Sequence, residues 1–80
     1  MPFVYILLCA DQSYYTGWTT DVTRRVAQHN AGRGCRYTRM RLPVTLVYHE
    51  EAPDIGSAMR REVAIKRLSR EKKDRLVGSR

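Results

Sequence analysis

Two short β-prone runs at the start of the chain constrain the fold more than any other feature. Residues 3–9 are apolar, and residues 14–19 are rich in aromatic and β-branched side chains. Each run is long enough for one strand and too short for a helix. The residues between them, Asp11-Gln12-Ser13, favour a turn. The sequence therefore predicts an N-terminal β-hairpin.

The length of the turn decides whether Tyr5 and Tyr15 face the same side of the hairpin. A three-residue turn over residues 11–13 would pair Cys9 with Tyr15 and place both tyrosines on one face. A four-residue turn would place them on opposite faces. The sequence leaves both registers open, and two strand tyrosines are also common as core aromatics.

The remaining segments predict helices on either side of a third strand. Asp21 or Thr20 can cap a first helix that runs to about residue 31, and two glycines end it. An Arg-rich loop follows at residues 32–41, and a third strand at residues 45–50. A long helix is predicted over residues 55–68, and Ser69 can cap a short final helix that runs through residue 77. The order ββαβαα predicts an α+β fold, a three-stranded sheet flanked by helices. We expect a single domain over residues 1–80.

The charge balance indicates a polyanionic partner. Fifteen Lys and Arg against eight Asp and Glu give a net charge of +7, and the pI is about 10.0. Such a surface attracts nucleic acid, because each neutralised phosphate releases counterions. A solvated basic surface is the alternative. We expect the nucleic-acid contacts to come from five basic residues: Arg33, Arg36, Arg39, Arg41 and Lys66.

The cysteines and the N-terminus indicate a cytoplasmic protein. Cys9 and Cys35 stand in no paired ligand spacing, which favours reduced, structural thiols. The N-terminal apolar run lacks a charged leader and is too short to span a bilayer. We therefore expect no membrane association.

The first predicted helix carries two candidate functional residues. Arg25 and His29 project beside Val22 and Val26, whereas Arg24 points almost the opposite way. Arg25 is thereby brought to the edge of the sheet face, where its planar guanidinium suits a phosphate. The alternatives are that Arg25 reaches solvent or pairs with an acid, and that His29 is structural.

A carboxylate falls inside the apolar stripe of the second long helix. Glu62 lies near the middle of a stripe formed by Ala58, Met59, Val63, Ile65 and Leu68, while Arg60 and Arg61 project outward. Burying an unpaired carboxylate is costly. A buried Glu62–Arg25 salt bridge is one solution, and a divalent cation held by Glu62 and waters is the other.

These residues together resemble the GIY-YIG nuclease superfamily. The resemblance rests on the order Val4-Tyr5-Ile6, Tyr15-Thr16-Gly17, Arg25-x-x-x-His29 and a helical Glu62. It extends over nearly the whole chain and is closest to the small stand-alone bacterial YhbQ/YazA-type branch, through Tyr14 to Asp21, Tyr37-Thr38-Arg39 and Leu68-Ser69-Arg70.

The resemblance implies metal-dependent hydrolysis of DNA phosphodiester bonds, in DNA repair or processing. It implies one Mg²⁺ or Mn²⁺ on Glu62, and Arg25 on the scissile phosphate. Tyr5 and Tyr15 match the paired tyrosines, one of which would help deprotonate the attacking water. His29 matches a histidine found in several subgroups.

The sequence also departs from the family pattern. Val4 replaces the glycine of the first motif, and Thr16 replaces the isoleucine of the second. Trp18 occupies the position where some relatives have a lysine. No asparagine lies on the last predicted helix. A nucleic-acid-binding module with weak or lost activity is therefore the alternative function, and a purely structural basic domain is a third. RNA stays possible as a substrate, as does a protein partner that directs the domain.

Overall fold

The computed structural model describes residues 1–78 and confirms the predicted α+β order. A four-residue helix lies within the segment predicted as an Arg-rich loop. The elements are β1 (Phe3–Leu8), β2 (Tyr14–Thr19), α1 (Val22–Asn30), α2 (Arg36–Arg39), β3 (Thr45–Glu51), α3 (Ile55–Lys66) and α4 (Arg70–Gly78).

The sheet is antiparallel, in the order β2-β1-β3, so β1 is the central strand and β2 is an open edge. Side chains alternate along β1 and feed two separate clusters. Tyr5 and Leu7 lie on the face covered by α1, and Val4 and Ile6 lie on the face covered by α3 and α4.

The hairpin register differs by two residues from that of a three-residue turn over residues 11–13. The predicted turn pairs Cys9 with Tyr15, whereas the structure pairs Leu7 with Tyr15. The Cys9 N–H donates to the Ser13 carbonyl at 2.8 Å, so the turn lies one residue earlier. A shift of two residues leaves every side chain on its face. Tyr5 and Tyr15 therefore share a face, as the three-residue turn predicts.

Polar caps fix the helix starts close to where the sequence predicts them. Asp21, rather than Thr20, accepts from the Arg24 N–H at the start of α1. Asp54 accepts from the Ser57 N–H at the start of α3. The Ser69 hydroxyl accepts from the Lys72 N–H at the start of α4. Each cap satisfies a backbone donor that the helix itself leaves free.

The predicted apolar stripe of α3 is only partly correct. Ala58 and Ile65 are fully buried, but Met59 and Val63 are 49% and 45% exposed. The strip of α3 that contacts the sheet is too narrow to cover all the apolar positions. Arg61 is also half-buried rather than outward, and its Nε donates to Glu50 on β3 at 3.0 Å.

No helix within residues 1–78 is long and apolar enough to cross a membrane.

Candidate active site

Tyr5 lies at the centre of a polar cluster on the α1 side of the sheet. Its side chain is 1% exposed and extends from β1 over Gly17, its partner on β2. A Cβ on residue 17 would lie 2.6 Å from the Tyr5 hydroxyl oxygen, which is too close for any side chain. Gly17 therefore makes room for the Tyr5 side chain.

His29 of α1 is fully buried and links β1 to α2. Its Nε2 lies 2.9 Å from the Tyr5 hydroxyl, and its Nδ1 lies 2.7 Å from the Thr38 hydroxyl. A Cβ on residue 34 would collide with the imidazole, so the glycine before α2 lets the loop close over the ring. His29 is thus held at both ring nitrogens.

The hydrogen bonds favour one tautomer of His29. The Thr38 hydroxyl donates to the Cys35 carbonyl at 3.3 Å, which leaves the hydroxyl oxygen to accept from Nδ1–H. Nε2 is then free to accept the Tyr5 O–H. Burial, reinforced by the positive charge of Arg25, lowers the pKa of His29, so the ring is neutral. A neutral imidazole beside a phenol can act as a proton acceptor.

Tyr15 completes the aromatic wall of the cluster. Its ring centroid lies 5.2 Å from that of His29 and 6.4 Å from that of Tyr5. Tyr37 stacks on it at 6.0 Å, and the Arg41 guanidinium lies 3.8 Å from the centroid of Tyr37. Burial, together with a contact to the Cys35 thiol, raises the pKa of Tyr15, so its phenol is protonated.

Arg25 is half-buried beside the Tyr5 hydroxyl. Burial raises the pKa of Tyr5, and Arg25 opposes that rise because it favours the phenolate. The guanidinium also donates to the Gln28 side chain at 3.1 Å and to the Gly34 carbonyl at 3.5 Å. Arg25 lines an open cleft of ≈ 510 Å³ with Trp18 and the exposed Arg24. The predicted contrast in burial between Arg24 and Arg25 is confirmed, but both border this cleft.

Glu62 approaches the cluster from the opposite face of the sheet. Its carboxylate is 19% exposed and lies 3.6 Å from the Lys66 ammonium. The negative charge is near enough to Tyr5 to raise the pKa of that phenol slightly. Within residues 1–78, Glu62 and Arg25 form no salt bridge, so the structural alternative that joined them is wrong.

The donor set at Glu62 fits one type of metal ion. No group of three or more His, Cys, Asp and Glu side chains in the described part of the chain could hold a metal. A single, half-buried carboxylate suits Mg²⁺, which retains several waters and accepts phosphate oxygens as ligands. A metal that needs a complete protein cage, such as structural Zn²⁺, does not fit.

The five basic residues predicted to contact nucleic acid have three kinds of surroundings. Arg33, Arg36 and Arg39 are exposed in α2 and the loop before it. Arg41 is bound instead by Asp11 at 2.9 Å and by the Tyr37 carbonyl at 2.9 Å, so its guanidinium already has internal partners. The Lys66 nitrogen lies 6.0 Å from the centroid of the Tyr15 ring, and Lys66 borders a second cleft.

Sequence reasoning missed the residues that α2 brings to the cluster, above all Cys35 and Thr38. Burial alone would raise the pKa of the Cys35 thiol, but hydrogen bonds from Thr38, Tyr15 and the Tyr37 backbone hold it below its usual value. Cys35 is the N-cap of a four-residue helix, and Thr38 is one of its buried residues. The Cys-x-x-Thr spacing of Cys35 and Thr38, inside the Arg-rich segment, is the signal in the sequence that could have indicated this turn.

A hydrogen-bonded tyrosine and histidine with an adjacent arginine form an arrangement capable of proton transfer. Residues 1–75 match the model of the GIY-YIG catalytic domain, and the chain belongs to this family.

Small proteins of bacteria and archaea are similar in sequence to this chain over nearly its full length. A UPF0213 protein of Natronomonas pharaonis is 57% identical over 75 residues, covering 94% of this chain and 88% of the relative. A UPF0213 protein of Staphylococcus haemolyticus is 50% identical over 78 residues, covering 98% and 95%. The solution NMR structure of a UPF0213 protein from Bacillus halodurans matches with a TM-score of 0.64 and 49% identity, covering 100% of this chain and 86% of that chain. The resemblance to the small stand-alone branch is therefore confirmed.

Proposed function

We propose that the protein is an endonuclease that hydrolyses phosphodiester bonds in DNA with the help of Mg²⁺ or Mn²⁺, in DNA repair or processing. The observation that carries this proposal is the buried hydrogen bond of 2.9 Å between Tyr5 and the neutral His29, with Arg25 alongside. A buried structural tyrosine also needs a hydrogen-bond acceptor, but it does not need a guanidinium beside the same hydroxyl.

The two tyrosines have different surroundings, and these favour Tyr5 as the group that activates water. Tyr5 can pass its proton to Nε2 of His29 while its oxygen takes a proton from the attacking water. The oxygen of that water then bonds to phosphorus as the bond to the leaving oxygen breaks. Thr38 holds the imidazole in the accepting tautomer at 2.7 Å. Burial raises the pKa of both phenols, but only the Tyr5 hydroxyl has the His29 imidazole as its acceptor. Tyr15 is therefore better suited to form the wall that orients the phosphate.

Arg25 and Glu62 would handle the charge of the reaction. Arg25 supplies fixed positive charge at one side of the Tyr5 hydroxyl, where negative charge grows on the phosphate oxygens. Glu62 would hold the divalent cation, which stabilises charge on the phosphate and the leaving oxygen. Arg25 lines an open cleft at the end of the edge strand β2, which a long polymer can reach without entering a closed pocket.

The test is cleavage of supercoiled plasmid DNA by purified protein with Mg²⁺ and with a chelator. We expect nicking that requires the metal, and we expect Glu62→Ala to reduce the rate at least about 100-fold. Glu71→Ala is the matched control, because Glu71 is 82% exposed on α4, where it pairs with Arg75. Equal rates for wild type and Glu62→Ala would disprove the role of Glu62.

A nucleic-acid-binding module without cleavage is the second candidate. It is favoured by one observation, namely that Glu62 already pairs with Lys66. Such a module would bind DNA or RNA with an affinity that falls steeply with salt, since most contacts would be to phosphates. Salt-dependent binding without cleavage in any metal would support this candidate over the nuclease.

A further inference from the structure

The Lys66 ammonium lies beside the Glu62 carboxylate, so a metal ion bound to Glu62 would come close to it. The two residues are one helical turn apart on α3, and their charged groups are separated by 3.6 Å. Glu62 is mostly buried, whereas the Lys66 side chain is 51% exposed. The carboxylate is therefore fixed and its partner is free to move.

A second position is open to the Lys66 ammonium. Lys66 borders a cleft of ≈ 280 Å³ together with Tyr15, Tyr37 and Lys73. Its nitrogen lies 6.0 Å from the centroid of the Tyr15 ring. The cleft opens at the start of β2, whereas the cleft beside Arg25 opens at the end of the same strand. A nucleic-acid strand that crosses the site along β2 would place a phosphate near each of them.

Electrostatics makes the two positions of Lys66 mutually dependent. An ammonium and a divalent cation repel each other, so both cannot sit on one carboxylate. A cation that binds Glu62 therefore releases Lys66, and the released ammonium is best placed against a phosphate in the neighbouring cleft. Lys73 would already provide positive charge there when Lys66 is still paired.

We propose that Lys66 is an exchangeable counter-ion, which neutralises Glu62 in the metal-free protein and moves to a nucleic-acid phosphate when the metal binds. This inference rests on the proposed function. It makes metal binding and strand binding assist each other, since each one frees or recruits the same ammonium. It also gives Lys66 a positioning role distinct from general attraction of the polyanion.

The first test measures the binding of Mn²⁺ alone by titration calorimetry. We expect Lys66→Met to bind Mn²⁺ about two- to fivefold more tightly than wild type, because the competing ammonium is gone. Lys72→Met removes the same charge from an exposed position on α4 and should leave the Mn²⁺ affinity unchanged. Glu62→Gln should lose this binding in both the wild-type and the Lys66→Met backgrounds.

The second test measures the affinity for a hydrolysis-resistant phosphorothioate single strand, with and without Mn²⁺. In wild type we expect Mn²⁺ to tighten strand binding, and in Lys66→Met we expect that gain to shrink about two- to fivefold. Lys73→Met should weaken strand binding equally with and without the metal, because Lys73 has no part in the exchange.

The outcomes separate this inference from the proposed function. Equal, Glu62-dependent Mn²⁺ binding by wild type and Lys66→Met would overturn the exchange and leave the metal site intact. Mn²⁺ binding that does not depend on Glu62 in either protein would overturn both the exchange and the metal assignment.

Discussion

The two faces of the central strand carry different kinds of core. On the α3 side, Val4 and Ile6 of β1 pack in an apolar cluster with Ala58 and Ile65. On the α1 side, Tyr5 comes from the same strand but enters a network of hydrogen bonds and aromatic contacts. Because side chains alternate along β1, one face of the strand contributes an apolar core and the other contributes the polar candidate site.

The polar face achieves this without leaving unsatisfied groups. Among the described residues, every buried side-chain nitrogen and oxygen has a hydrogen-bond partner. Both ring nitrogens of His29 are used, so burying the imidazole costs little. The same completeness means that a change to one partner leaves another buried polar group unpaired, whereas the apolar face responds mainly to lost volume.

The largest expected effect is on the apolar face. Ile6→Ala should lower the free energy of unfolding by about 2–5 kcal/mol, because Ile6 is fully buried and a cavity would remain. Urea denaturation followed by circular dichroism measures this change. Ile6→Val is the matched control and should cost about 0.5–1.5 kcal/mol. If Ile6→Ala lowers the free energy of unfolding by less than about 1 kcal/mol, the division between an apolar and a polar face is contradicted.

The next effect is on the polar face and concerns rate rather than stability. Arg25→Ala should slow DNA cleavage about 10²–10³-fold, because it removes fixed positive charge beside Tyr5. Arg24→Ala should reduce the rate less than about tenfold. Arg24 borders the same cleft, but its side chain is exposed, so water and salt screen its charge. Single-turnover cleavage at low salt measures both. Equal losses would mean that the cleft needs only general positive charge.

The sequence predicted the alternation of β1 and the face of His29, but not the contacts made by α2. Local periodicity places Tyr5 and His29 correctly because the strand and helix repeats are fixed by geometry. The pairing of His29 with Thr38 depends instead on how a basic loop without apolar periodicity folds back, and such long-range contacts leave no local pattern.

The same limit explains why the sequence left the hairpin register open and why the apolar stripe of α3 was only partly correct. The hairpin register depends on which residues form the turn, and neighbouring turns have similar composition. In α3, the apolar positions Met59 and Val63 remain exposed because only one strip of the helix reaches the sheet. Glu62 still lies on the inward side, since its position follows from helical spacing relative to Ala58 and Ile65.

A smaller effect is expected from pH. The pKa of His29 is lowered in the folded state, mainly by burial, relative to about 6.5 in the unfolded chain. The unfolded state therefore binds more protons in the interval between the two values. The contribution of neutral His29 to the free energy of unfolding is fully present above about pH 6.5. It is lost as the pH falls through the folded-state pKa, by at most about 1.4 kcal/mol per pH unit.

The measurement is the free energy of unfolding of wild type and His29→Gln between about pH 7.5 and about pH 5, a range that includes the usual histidine pKa of about 6.5 and extends below it. We expect the stability of wild type to decline more steeply than that of the variant on going to lower pH. Parallel curves for the two proteins would show that His29 is not the buried, neutral group on which the polar face depends.

The most direct test of the central claim compares the same chemical change on the two faces of the sheet. Tyr5→Phe removes the hydroxyl that bonds His29, and Tyr48→Phe removes the hydroxyl that donates to Glu50 at 2.7 Å on the opposite face. The cleavage rate of each variant should be measured with Mg²⁺ on single strands, duplexes, flaps and junctions. We expect Tyr5→Phe to lose at least about 100-fold and Tyr48→Phe to stay within about twofold of wild type on the best substrate. Cleavage by Tyr5→Phe at close to the wild-type rate, or no cleavage of any substrate by wild type, would contradict the assignment of the polar face as the catalytic site.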